Sequence, residues 1–261
     1  PEAIQTALQG MRTIFTEGNS ILPDASMPRM RSTPSYLAYV KIAEGCNHSC
    51  AFCAIPQIRG PLVSRTIESI RQEVSRLVAE GVREINLVAQ DTTSYGIDLY
   101  GRPRLVDLLK ELCSIEGRFW LRLLYSYPKN FSAELIQLMA TEPKICKYVD
   151  IPLQHVHDDL LRAMRRPDRR KDIEKLIANL RSAMPDVAIR TTFIVGLPGE
   201  TEEHFQDLRD FIETKRLDHV GVFIYSPEEG TAAAGFADQI DEDVKADRYD
   251  DLMAVQASIS Q

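Results

Sequence analysis

Three cysteines, Cys46, Cys50 and Cys53, stand at Cys-x3-Cys-x2-Cys spacing in the run Cys46-Asn47-His48-Ser49-Cys50-Ala51-Phe52-Cys53. Thiolates this close together suit a soft metal centre, and the spacing points to iron and sulfide. A cubane cluster held by only three of them keeps one iron open to an outside ligand, and that iron is where chemistry could happen. Two rival readings of the same residues are weaker. A structural zinc ion wants four closed ligands, usually in two Cys-x2-Cys-type pairs, whereas Cys113 and Cys146 stand alone and His48 sits inside the short Cys46–Cys50 loop, from which its reach back would be strained. A disulfide framework is disfavoured by the odd count of five cysteines in a chain long enough to build a real core.

A loop of this kind needs a scaffold. Tyr36–Ile42 reads as a first strand with the cysteine run at its carboxyl end. From Thr66 to Glu80, Ile67, Ile70, Val74, Leu77 and Val78 recur at helical spacing and stop at Gly81. The alternation then repeats, predicting strands at Ile85–Ala89, Phe119–Tyr125, Tyr148–Leu153, Val187–Val195 and Val220–Tyr225, with helices at about 105–115, 132–141, 158–182 and 202–215. Six apolar strands alternating with helices predict an α/β fold, a parallel sheet with helices outside that right-handed crossovers curl toward a barrel. Eight strands would close it, and six leave it partial. In such folds the working groups occupy the loops after the strands, which is where the cysteines fall.

The composition, 261 residues with 44% hydrophobic and 26% charged, is that of a globular chain. No apolar run approaches the ~20 residues a membrane span needs, and no charged-then-apolar leader opens the chain. Free thiols fit a cytoplasmic location. The net charge of -7 argues against coating nucleic acid by bulk electrostatics, although local basic patches stay open. Residues 1–34 carry a short helical pattern (Ile4, Leu8, Met11, Ile14, Phe15) and then a Pro-, Ser- and Met-rich stretch from Pro23 to Pro34 that reads as a linker. Residues 35–240 read as the barrel and 241–261 as a carboxyl-terminal helix. Pro1 at one end and a helical pattern running into Gln261 at the other suggest a piece of a longer protein.

Charges interrupt three consecutive strands at Arg122, Asp150 and Arg190. A charge in a central strand must be paired, which predicts a polar network in the barrel mouth, joined by Lys41. That network is either purely structural or leaves Arg190 or Arg122 free to meet a carboxylate. The basic run Arg162, Arg165, Arg166, Arg169, Arg170 and Lys171 reads as a solvated helix face, with a docking patch for a partner as the alternative.

The cysteine spacing, with aromatic Phe52 just before the third cysteine, resembles the cluster loop of radical S-adenosylmethionine enzymes. The wider stretch Ala43-Glu44-Gly45-Cys46-Asn47-His48 through Cys53-Ala54-Ile55-Pro56, then Arg59-Gly60, Ser64-Arg65 and Gly230-Thr231, is similar to their methylthiotransferase branch, over about residues 35–261. The resemblance implies a partial (βα)6 TIM-like barrel of the radical SAM type, a 4Fe-4S cluster on Cys46, Cys50 and Cys53, and S-adenosyl-L-methionine chelating the open iron. Phe52 is among the implied cofactor contacts. Gln90 and Asp91 open a polar run after the second strand that is otherwise a surface turn, and are implied to meet the methionine moiety of the cofactor. Gln154, ending the fourth strand, falls toward the ribose, while His155 beside it is either a hydrogen-bonded surface group or a substrate contact. Gly196 and Gly199, in a run that could equally be a turn needing glycines, resemble the segment near the adenine, where they let the backbone approach a ligand. Thr201 caps the helix that follows. Gly199 stands where the wider superfamily often has a glutamate, which leaves the role of Glu200 open. Arg190 is taken as the arginine that meets a carboxylate of the cofactor.

Within that branch, Ala89-Gln90-Asp91-Thr92, Gln154-His155 and Tyr125-Ser126-Tyr127-Pro128 resemble the enzymes that modify an aspartate of a small-subunit ribosomal protein more than those that modify transfer RNA. The implied reaction sends one electron from a reducing donor through the cluster into the sulfonium, and the resulting deoxyadenosyl radical takes hydrogen from the aspartate β carbon before sulfur and methyl are attached. No side chain need act as acid or base. The family also implies a second 4Fe-4S cluster on an amino-terminal domain and a small carboxyl-terminal domain, both outside this sequence, so the chain is expected to cleave the cofactor without completing the product. A transfer-RNA-modifying enzyme is one alternative. An electron-transfer or structural iron–sulfur module is another, which predicts four protein ligands where the sequence offers three.

Overall fold

The structure, a computed structural model, describes residues 5–6, 8–10, 22, 24–27 and 29–260. Of the amino-terminal helical pattern, Ile4, Met11, Ile14 and Phe15 lie outside the described residues, as do Pro23 and Pro28 of the linker.

Eight strands alternate with nine helices among the described residues. The strands are β1 (Leu37–Lys41), β2 (Ala43–Glu44), β3 (Val63–Ser64), β4 (Glu84–Val88), β5 (Trp120–Leu123), β6 (Tyr148–Asp150), β7 (Ala188–Val195) and β8 (His219–Ile224). The helices are α1 (Ile55–Arg59), α2 (Ile67–Ala79), α3 (Ile97–Tyr100), α4 (Leu105–Cys113), α5 (Ala133–Thr141), α6 (Asp158–Ala163), α7 (Arg170–Ala183), α8 (Glu202–Lys215) and α9 (Glu242–Ile259). Six of the strands are the expected ones. They pair in parallel as β1-β4-β5 and β6-β7-β8. The two halves join where Leu121 bridges Ile145 in parallel and the Ser126 N–H donates to the Asp150 carbonyl at 2.8 Å. The result is one curved sheet in sequence order. Among the described residues no ladder joins β8 back to β1, so the barrel stays open, as a six-strand count requires.

One apolar core fills the space between sheet and helices. Val40, Ile85, Leu87, Leu121 and Phe193 from the strands and Ile70, Val74, Leu108, Leu109 and Leu112 from the helices are all essentially excluded from solvent. α2 starts where the Thr66 hydroxyl accepts from the Ser69 N–H at 3.2 Å, satisfying one of the orphan donors of a helix amino end. The short antiparallel pair β2-β3 was not foreseen; it folds the segment after β1 back on itself and places the cysteine loop between its arms.

The helix expected over 158–182 is two helices. α6 ends in a Schellman arrangement: the Arg165 N–H donates to the Arg162 carbonyl at 3.0 Å and the Arg166 N–H to the Leu161 carbonyl at 2.8 Å, with Arg165 at φ 57°. Pro167 follows and cannot continue the helix. The basic run is therefore no single solvated face, and the break turns Arg166 inward, where it is 5% exposed.

The network expected from Arg122, Asp150, Arg190 and Lys41 resolves into separate pairs. Arg190 meets Asp150 at 2.9 Å, Arg122 meets Glu84 at 2.8 Å, and Lys41 meets Glu44. The register explains the split, since Arg190 lies directly across from Asp150 while Arg122 lies across from Asn86, two residues along β4 from Glu84.

Candidate metal centre

The cysteine loop is pinned from four sides. The Cys46 N–H donates to the Gly60 carbonyl at 3.1 Å, and Asn47 Oδ1 accepts from the Leu62 N–H at 3.0 Å. The Ala51 N–H donates to the Met164 carbonyl at the end of α6 at 3.0 Å, and the Ala51 carbonyl accepts from the Ala233 N–H at 2.8 Å. Gly45 is needed at the entry to the loop. It has φ +79°, and a Cβ there would lie 2.1 Å from the Pro61 carbonyl oxygen. Beneath the loop, Ala51 packs with Met164, Ile194, Leu197, Tyr225 and Ala233 in a small apolar cluster of its own.

Cys46, Cys50 and Cys53 line one cavity of about 410 Å³ at the carboxyl ends of the strands, together with His48, Phe52, Gln90, Tyr125, Tyr127, Gln154 and Arg166. All three thiols are free and half-buried. Burial pushes the Cys46 and Cys50 thiols up, and at Cys50 the Arg166 guanidinium works against that rise. Soft donors converging on one wall of a cavity, with polar groups across it, fit an iron–sulfur cluster carrying an organic ligand on its open side. Gln90 adds to that fit. Its Nε2 donates to Glu44 Oε1 at 3.2 Å, while its buried Oε1 has no partner.

Among the described residues His48 and the three thiols do not come close enough together to share one metal ion as a zinc site would require. The His48 Nε2 is 2.7 Å from Asp91 Oδ2, and its ring stacks on Tyr127 with centroids 3.9 Å apart and planes within 10°. Asp91, expected at the cofactor, instead caps the short turn Thr92–Ser94: Oδ1 accepts from the Thr93 N–H at 2.9 Å and the Ser94 N–H at 3.2 Å, and both side-chain hydroxyls donate to the carboxylate. Its carboxylate is not among the groups lining the cavity. Gln154 is on the wall, held at φ 73° by a parallel bridge to Phe193, and Tyr125 beside it has φ 57°. Left-handed backbone in non-glycine residues costs of order 1 kcal/mol and concentrates at working sites.

Arg190 lies toward the amino end of β7, in its pair with Asp150, and does not line the cavity. Gly196 and Gly199 lie on the loop after β7, beyond the cavity wall. Gly196 has φ +76° and a Cβ would meet Lys245 Cγ at 2.3 Å, so its glycine is required by the close approach of α9; Gly199 has φ +83° and open space beside it. The Gly196 N–H donates to the Glu200 carboxylate. His155 is fully buried, with Nδ1 accepting from the His157 N–H at 3.0 Å, and it faces Glu200 rather than the cavity. His48, Tyr125, Tyr127 and Arg166 line the site without having been foreseen there, and for Arg166 the available sign was Pro167, where the helix stops and releases it.

Comparisons with known proteins agree with this geometry. Residues 40–212 match the Radical SAM superfamily. The chain is 54% identical over 260 residues to the ribosomal protein uS12 methylthiotransferase RimO of Desulforamulus reducens, covering 99% of this chain and 59% of that protein. It is 51% identical over 257 residues to the RimO of Heliobacterium modesticaldum, covering 98% and 56%. The chain thus spans a little over half the length of these curated relatives. Among solved structures, Escherichia coli coproporphyrinogen III oxidase (HemN), a radical SAM enzyme, superposes with a TM-score of 0.64 at 20% identity, over 85% of this chain and 52% of that one. The radical SAM methyltransferase TsrM of Kitasatospora setae gives 0.60 at 19% identity, over 72% and 36%. At that identity these two likenesses concern the fold. With its three-thiol wall, its open six-strand sheet and a match across two thirds of its length, the chain belongs to the Radical SAM superfamily.

Proposed function

We propose that this chain is the radical-generating part of a methylthiotransferase that attaches a methylthio group to the β carbon of an aspartate in a small-subunit ribosomal protein, the uS12 protein that the relatives' names carry. The observation that carries the reading is identity of 51–54% to RimO proteins along nearly the whole chain. Cys46, Cys50 and Cys53 would hold a 4Fe-4S cluster whose chemistry is one-electron cleavage of S-adenosyl-L-methionine to a deoxyadenosyl radical. This chain's own residues bind and orient. Phe52, Gln90 and Gln154 line the cavity and would contact the cofactor, with the unpartnered Gln90 Oε1 placed to accept from its amino group. The loop from Gly196 to Gly199 would lie against the adenine. Asp91 holds the turn and His48 in place, and Arg190 holds Asp150. The apolar cluster below the cysteine loop keeps water from that side of the site.

The partners follow from the same reading: a reducing electron donor, the ribosomal protein, and a cytoplasmic location. No described helix is long and apolar enough to cross a membrane. The resemblance to the family further implies a second 4Fe-4S cluster, needed for sulfur attachment, on an amino-terminal domain, and a further domain after 241–261; the relatives are longer than the part this chain matches.

The test is anaerobic reconstitution of the chain, counting iron and sulfide, followed by S-adenosyl-L-methionine under reduction. Deoxyadenosine without methylthio-aspartate is the expected result. Alanine at Cys46, Cys50 or Cys53 should abolish the brown chromophore and the deoxyadenosine, and a variant keeping full iron would overturn the ligand assignment. With the full-length parent, mass spectrometry should find methylthio-aspartate on the ribosomal protein and no new methylthiolated nucleoside in transfer RNA; the reverse would move the protein to the other branch.

A further inference from the structure

Arg166 is a buried cation whose one carboxylate neighbour, Asp168, makes no hydrogen bond to it. Its side chain is 4% exposed; Nη2 donates to the Pro152 carbonyl at 3.0 Å, and Nε has no partner. The nearest acid, Asp168, stands 3.8 Å away with its own Oδ2 unsatisfied. The guanidinium carbon lies 4.0 Å from the Tyr127 ring centroid, and the His48 ring lies 3.9 Å from the same centroid. Two groups that close to one centroid cannot share a face, so Tyr127 is sandwiched between them. His48 in turn is tied to Asp91. The sandwich spans the cavity wall from the cysteine loop to the end of α6, whose last carbonyl holds the Ala51 N–H. It places the guanidinium on the same cavity wall as the Cys50 thiol.

A desolvated charge costs several kcal/mol unless something opposes it. The cysteines supply the opposing charge once they are thiolates. We propose that Arg166 is a positioning residue for the redox step: seated by Tyr127 and the Pro152 carbonyl, it holds a fixed positive charge on the cavity wall it shares with Cys50 and so raises the reduction potential of a cluster on Cys46, Cys50 and Cys53. Adding one electron to a thiolate-held cluster adds negative charge near this guanidinium, and a cation close to the ligand sulfurs favours the reduced form. The inference rests on the cluster assignment above, and its test separates the two.

The experiment is an anaerobic potentiometric titration of the reconstituted chain, in which one electron passes from dithionite through mediators to the cluster and no bond or proton moves; the reduced signal is read by electron paramagnetic resonance. Arg166→Gln should shift the midpoint to more negative potential, and Arg166→Lys, which keeps the charge, should restore most of it. Asp168→Asn leaves Arg166 in place and removes the charge that competes for it, so its midpoint should shift to more positive potential. If Arg166→Gln takes up no iron, the Asp168→Asn and Arg166→Lys titrations decide. Unchanged midpoints in the loaded Arg166 and Asp168 variants would overturn the proposal, as would an Asp168→Asn shift to more negative potential. A parent chain that takes up no iron would instead overturn the cluster assignment.

Discussion

Two carboxylates, each just past the end of a parallel strand and each almost excluded from solvent, sit in opposite halves of the sheet. Asp91 follows β4 and is 3% exposed; Glu200 follows β7 and is 2% exposed. Burial raises both, yet they end on opposite sides of the ordinary carboxylate range. At Asp91 the hydrogen bonds from His48, Ser94 and Thr93 overcome burial and hold the carboxyl low. At Glu200 burial wins, pushing it up to about 7 against the opposing Arg248 guanidinium. Its Oε1 has no partner, and His155 Nε2, 4.0 Å away, has none either. His155 is pushed down to about 3, first by burial. The number of donors fitted to the charged form, not the depth of burial, decides which acid stays ionised. The satisfied acid clamps the cysteine loop, while the unsatisfied one lies under the glycine loop, where α9 supplies Arg248 at 3.6 Å.

The sharpest way to break this contrast is Asp91→Ala. It strips the acceptor from two backbone N–H groups, two hydroxyls and His48 together. Removing one partner of such a buried set costs about 3–5 kcal/mol, and iron uptake should fall with it. A loss below about 1 kcal/mol in denaturant unfolding would show that the clamp is not what holds the loop.

Glu200 should act through pH. Its folded pKa lies above the ordinary 4.5, so the folded chain binds that proton more tightly than the unfolded one. The resulting stability is fully present below pH 4.5 and is lost as pH rises through about 7, amounting to about 3 kcal/mol. Glu200→Gln has no such proton. Between pH 5 and pH 8 the parent should lose stability relative to this variant; parallel profiles would remove the contrast with Asp91. His155 acts in the other sense, its contribution being lost as pH falls from 6.5 toward about 3, and it is common to both proteins.

The smallest effect is expected at the remaining cysteines. Cys113 and Cys146 are half-buried rather than fully buried, and neither lines the cavity. Burial pushes the Cys113 thiol up to about 12, so it stays neutral. Serine at both should leave iron content unchanged and cost about 1 kcal/mol or less. A double variant that lost the chromophore would mean that ligands are drawn from outside the cysteine loop.

The cysteine loop was legible because its ligands lie within eight residues, so their convergence is a property of the local chain. The six strands were legible for a related reason. Runs such as Ile85–Ala89 and Val187–Val195 are apolar enough to declare a strand buried on both faces, and the intervening helices set the parallel direction. Asp91 was recognised as consequential but its partner His48 was not, because turn geometry brings them together; Asp150 was expected in one network with Arg190, and strand register singled out that pair. His155 looked like a surface group since nothing in Gln154-His155 reports what packs over it.

What the sequence determined alone is therefore short in range: three thiols on one loop, six alternating strand–helix units, and the working loops at the carboxyl ends of the strands. What only the tertiary structure decided is which charges meet. Arg166 belongs to a basic run whose composition reads as a solvated face, yet a helix stop with Arg165 in the left-handed region and Pro167 behind it rotates that one guanidinium onto Tyr127 and toward Cys50. Periodicity reports which face of an element is apolar. It does not report where the element ends in space.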